Sequence, residues 1–133
     1  MFEPVINQLP AFAAFFATAI VLLCGFLALY VVVTPYNELA LIREGNAAAA
    51  LSLGGALVGF ALPIAVSVAV SHNLYVMIGW GAVAGVVQLA AFTAARLALP
   101  RLNESIPEGK VASGIFLASL AIGVGILNAG CIA

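Results

Sequence analysis

Residues 45–95 read GNAAAALSLGGALVGFALPIAVSVAVSHNLYVMIGWGAVAGVVQLAAFTAA, 51 positions without one Asp, Glu, Lys or Arg. A helix needs about 20 apolar residues to cross ~30 Å of hydrocarbon, so this stretch holds two crossings. The polar tripeptide Ser71-His72-Asn73 near its middle is short enough for a tight helical hairpin. Working outward, residues 4–37 and 111–133 are also free of charge, and each is long enough for one crossing. The four helices expected are about Pro10 to Val33, Asn46 to Val70, Leu74 to Ala98, and Lys110 to the last residue. Pro10 suits a first helical turn, and Thr34-Pro35 is a natural stop.

The whole chain agrees with this class. Of its 133 residues, 65% are hydrophobic and 7% are charged, with a mean hydropathy of +1.26. That composition excludes a water-soluble enzyme domain and a disordered tail. Four Lys/Arg in all cannot neutralise a phosphate backbone, so a nucleic-acid partner is excluded as well. A membrane barrel needs alternating polarity and at least eight strands, and neither is present. The expected fold is an all-α membrane protein of four transmembrane helices forming one integral domain over residues 1–133. Its first partner is the lipid bilayer.

With four crossings, both termini and the 71–73 hairpin share one side, and loops 34–45 and 99–109 share the other. Arg43, Arg96, Arg101 and Lys110, all the basic residues there are, lie in or beside those two loops. The positive-inside rule then puts the loops in the cytoplasm and both termini outside. A cleaved secretory signal is not expected, because residues 1–9 hold only Glu3 among charged residues and the apolar stretch is too long. Val21-Leu22-Leu23-Cys24-Gly25 has the outline of a lipoprotein site, but bulky Leu23 and the missing basic segment argue for a retained span.

Aligned with itself at an offset of 64, the chain superposes Ile42-Arg43-Glu44-Gly45-Asn46 on Ile106-Pro107-Glu108-Gly109-Lys110. With a two-residue gap, Asn37-Glu38 falls on Asn103-Glu104. The chain therefore reads as two tandem two-helix repeats, about 10–70 and 74–133. An even number of spans per copy makes them parallel, unlike the inverted repeats of many transporters. Glu-Gly-Asn and Glu-Gly-Lys are helix starts: Gly45 turns the loop, Asn46 caps, and Glu44 and Glu108 face the positive ends of the helix dipoles. The functional alternative is that Glu38, Glu44, Glu104 and Glu108 ring a cation vestibule in an assembled form.

Small residues recur four apart: Gly55 with Gly59, Gly81 with Gly85, Ser119 with Gly123, and Gly125 with Ala129. Such faces let helix backbones approach closely in lipid, within one chain or between chains. No acid or base lies near the middle of a span, where pumps and proton relays keep one. The interior polar residues are Ser52, Ser67, Gln88, Thr93, Ser113, Ser119 and Asn128. Gln88 and Asn128 are the candidate polar lining, and Pro63 should kink its helix and free a carbonyl near residue 59. Tyr30 and Tyr36, and Tyr75 and Trp80, fit the two interfacial aromatic belts. His72 is the lone histidine, Cys24 and Cys131 are too far apart to pair, and no nucleophile, metal or phosphate motif is present. No catalytic residue, metal or cofactor is expected.

The residues Tyr36-Asn37-Glu38, Ile42-x-Glu44-Gly45-Asn46-x-Ala48-Ala49-Ala50, Gly59-Phe60, Pro63 and Leu127-Asn128-Ala129-Gly130-Cys131 resemble the YjfL family of bacterial inner-membrane proteins, a domain of unknown function. The resemblance covers nearly the whole chain, with Gly130 where a second alanine is common. It implies a four-helix inner-membrane protein built as a tandem repeat, and it implies no activity. Two functions compete. One is a small subunit that self-associates or docks on other membrane subunits by helix packing. The other is an oligomeric channel or transporter for an ion or small solute.

Overall fold

A computed structural model describes all of residues 1–133. It is all-helical: α1 Glu3–Val33, α2 Glu38–Arg43, α3 Ala47–Ser71, α4 Leu74–Ala98, α5 Leu102–Ser105 and α6 Val111–Ile132. Four of these, α1, α3, α4 and α6, are long and apolar enough to cross a membrane. The bounds of α4 coincide with those expected, and α3 and α6 start one residue later than expected. The start of α1 is a correction. Pro4 occupies its first turn and Pro10 lies inside it, because a proline ring removes one backbone hydrogen bond without stopping a helix that lipid leaves no other way to satisfy.

Local chemistry sets the breaks. The side chain of Asn46 accepts from Ala49 N at 3.0 Å and so caps α3, while Asn73 caps α4 by accepting from Tyr75 N and Val76 N. His72 closes α3 in the left-handed region at φ 49°. The loops 34–45 and 99–109 hold the short helices α2 and α5 and end in matching turns. Gly45 N donates to Ile42 O and Gly109 N to Ile106 O, both at 3.0 Å, with φ of 86° and 78°. Only glycine takes such φ without strain.

The core is the crossing of α3 and α6, which run parallel. Ala48 meets Gly114, Gly55 meets Ala118, and Gly59 meets Ala121 and Gly125. A methyl group at Gly55 would stand 2.6 Å from Ala118 Cβ, so the backbones themselves are in contact. Buried Pro63 cannot donate to the carbonyl of Gly59, and the α-hydrogen of Gly125 points at that carbonyl instead. Helix α4 packs on both α3 and α6, whereas α1 leans on α3 and α4. Aromatic rings fasten α1: Phe26 stacks on Phe60 at 4.4 Å, and Tyr30 meets Phe92 edge-on at 4.8 Å. Each pair contributes about 1 kcal/mol beyond burial.

Candidate functional site: a buried acid at the loop end of the bundle

Along α1, the side chains that turn fully inward are Phe26 and Tyr30, and Thr34 follows at the same spacing of four. Below them the chain turns through Thr34-Pro35-Tyr36, Asn37 caps α2 by accepting from Ala40 N at 3.1 Å, and Glu38 becomes its first residue. This brings Glu38 back under α1 with no solvent exposure. Tyr30 Oη donates to Glu38 Oε1 at 3.1 Å and lies 3.0 Å from Ser52 Oγ in the second turn of α3. Glu38 Oε2 has no partner.

A cation stands near but is engaged elsewhere. Arg96, at the end of α4, donates to Asn103 Oδ1 at 2.7 Å and to Tyr36 Oη at 2.9 Å, and its guanidinium lies 5.0 Å from the centre of the Tyr36 ring. It forms no ion pair with Glu38; the one ion pair is Glu108 with Lys110, at 3.3 Å on the exposed surface. Burial therefore dominates at Glu38 and pushes its carboxyl up to about 7, while the hydrogen bond from Tyr30, the charge of Arg96 and the nearby Ser52 hydroxyl hold it lower than burial alone would. Burial also raises the Tyr36 hydroxyl, against the pull of Arg96. The chemistry available is reversible protonation of one carboxyl bonded to the Tyr30 hydroxyl and, through it, linked to Ser52.

The other residues singled out in the sequence separate into groups. Glu44, Glu104 and Glu108 are exposed at the same end of the bundle, and Glu38 is turned away from them into the core. Asn46 caps α3 and also donates from Nδ2 to Ile106 O at 2.9 Å, tying one loop to the other. Gly55 and Gly59 are spent on the α3–α6 crossing, while Gly81 lies against Leu22 and Ile64, and Gly85 against Phe60 and Phe26. Ser119 is exposed, and nothing lies within 4 Å of where a Gly123 side chain would be.

Gln88 is buried at the crossing and donates from Nε2 to Ala121 O at 2.9 Å, leaving Oε1 without a protein partner. Asn128 is half-buried with Nδ2 unpartnered, and Ser67 Oγ is buried in the same condition. Tyr30 corrects the aromatic-belt expectation: it is 1% exposed and belongs to the core, because its hydroxyl finds Glu38 and Ser52 rather than the interface. Tyr75 is 87% exposed, as a belt residue would be. Cys24 and Cys131 are both free and exposed. The grouping of Tyr30, Ser52 and Arg96 around Glu38 is not read from the sequence; the signal available is the spacing of four from Phe26 through Tyr30 and Thr34 to Glu38.

The family model described as Domain of Unknown Function (DUF350) matches residues 4–132. The chain is 35% identical over 127 residues to the UPF0719 inner membrane protein YjfL of Escherichia coli (strain K12), covering 96% of each chain. It is 29% identical over 125 residues to the UPF0719 transmembrane protein YshE of Bacillus subtilis (strain 168), covering 92% of this chain and 93% of that one. No solved structure matches the chain. The chain belongs to the DUF350 family, the one its loop and terminal motifs resemble.

Proposed function

We propose that this DUF350 protein is a non-catalytic packing subunit of the bacterial inner membrane, built from two tandem parallel hairpins, which self-associates or docks on other membrane subunits. Both termini face the periplasm and the two longer loops face the cytoplasm. The observation that carries the reading is the division of the small-residue faces. Those of α3, together with Gly114, Gly125 and Ala129 of α6, are consumed inside the protomer, while Ser119 and Gly123 lie open on the other side of α6, flanked by exposed Phe116, Ile126 and Leu127. Association in lipid comes from close packing of such faces and not from hiding apolar surface. The duplication is supported by the matched turns at Gly45 and Gly109 and by the parallel course of α3 and α6.

The test is self-association in lipid nanodiscs or by single-molecule photobleaching in bilayers. Gly123→Leu should leave the fold intact, since no neighbouring helix lies within 4 Å of where its Cβ would be, and weaken association about tenfold, equivalent to about 1.4 kcal/mol. Association unchanged by Gly123→Leu and by Ser119→Leu removes that face from the proposal. The channel reading keeps one observation in its favour: Ser67, Gln88 and Asn128 each hold a buried polar atom without a partner. Flux in proteoliposomes that responds to Asn128→Leu would favour it, and no flux under any ion gradient would end it.

A further inference from the structure

We propose that Glu38 is a proton-binding site whose occupancy sets whether α2 stays docked on the bundle. The inference is independent of what the protein packs against. It starts from a carboxyl with no solvent exposure, one oxygen bonded to Tyr30 and the other to nothing. A buried ionised oxygen without a partner is strongly disfavoured, and a neutral carboxyl in the same place costs far less.

The groups facing Glu38 come from each element around it. Helix α1 supplies the Tyr30 hydroxyl, the 34–37 turn supplies Tyr36, α3 supplies Ser52, and α4 supplies Arg96. Helix α5 acts only through Asn103, which holds Arg96 in place. Arg43 is the last residue of α2 itself and is exposed. The one nearby cation is thus committed to Asn103 and to Tyr36, and the acid has a single hydroxyl partner, Tyr30, and no ion pair for its charged form.

Helix α2 is a lever suited to such a site. It has six residues, too few to be stable alone, and it is held by Glu38 together with the half-buried Leu41 and Ile42. The turn that follows it ends in Asn46, which caps α3 and grips the second loop at Ile106. Losing the proton from Glu38 therefore loosens α2 and, through Asn46, both loops at that end of the molecule. The docked carboxyl titrates near 7 and an undocked one near its ordinary 4.5. Linkage then makes docking weaker by about 30-fold between pH 5.5 and pH 8.5.

The experiment is hydrogen exchange on the full chain in lipid nanodiscs across that range, with rates corrected for the intrinsic pH dependence of amide exchange. Protection of the Ala40–Arg43 amides should fall about 30-fold toward high pH, and Glu38→Gln should hold it at the low-pH level throughout. Tyr30→Phe keeps the ring against Phe26 and Phe92 but removes a hydrogen bond to the ionised form, so its midpoint should move to higher pH. That variant serves if Glu38→Gln fails to insert. Protection that is flat with pH in the native protein, the same fall in Glu38→Gln, or an unmoved midpoint in Tyr30→Phe would each overturn the proposal.

Discussion

Glu38 and Gln88 are both buried polar side chains with one satisfied and one unsatisfied atom, yet their energetics differ because only one can change its charge. For Glu38 the folded-state value lies above the unfolded one, so its favourable contribution is complete below about pH 4.5 and is lost as the pH rises through about 7. Global stability measured in lipid should accordingly fall by about 2 kcal/mol from pH 5.5 to 8.5 in the native protein, and the Glu38→Gln variant should lack that component. Gln88 has no such escape. Its bond to Ala121 O is of a kind that contributes about 0.6 kcal/mol in membrane proteins, and its bare Oε1 offsets part of that. Gln88→Leu, which keeps the volume and removes both atoms, should change unfolding free energy by less than about 1 kcal/mol in a steric-trapping or thermal assay. A loss above ~2 kcal/mol would mean that Gln88 is doing more than bridging α4 to α6.

At the scale of the helix, the α3–α6 crossing concentrates its dependence on glycine in a few positions. Gly59→Ala would set a methyl group 2.8 Å from Gln88 Nε2 and still closer to the Ala121 backbone, so it should destabilise the fold by about 1–3 kcal/mol. Gly54→Ala, on the same helix with nothing within 4 Å, should be neutral or stabilising by up to ~1 kcal/mol. Equal effects at the two positions would refute the crossing. The contrast also marks what was legible in the sequence. Long apolar runs punctuated by Ser71-His72-Asn73, Thr34-Pro35 and Asn46 give α3, α4 and α6 to within a residue, since the hydrocarbon thickness leaves few ways to place them. The small helix α2 was not legible, because six residues, four of them apolar, are too few to show a helical period. Nor was the inward turn of Tyr30, because an aromatic near a span's end has the same periodicity whether it meets lipid headgroups or a buried carboxyl. Both depend on what the chain packs against, which composition does not carry.

For the whole molecule, the turns at Gly45 and Gly109 match, but the helices around them pack differently. Helix α4 touches both central helices, while α1 rests on α3 and α4, with its first turns exposed on all sides. The ends of the bundle differ more. One carries every basic residue, the two short helices, the Glu38 cluster and three exposed acids; the other carries His72, Tyr75 and the last turn of α6. This polarity makes the positive-inside assignment testable with the cysteines already in the chain. Cys131 is exposed at the end of α6, in reach of water at the membrane surface, whereas Cys24 is exposed in the middle of α1, where it meets hydrocarbon. An impermeant thiol reagent applied to intact spheroplasts should therefore modify one cysteine per chain, and Cys131→Ser should abolish the signal while Cys24→Ser leaves it unchanged. Modification of Cys131 only after permeabilisation would invert the molecule, placing Arg43, Arg96, Arg101 and Lys110 outside and Glu38 in contact with the periplasmic proton pool. The same labelling thus decides which compartment's pH the buried acid would report.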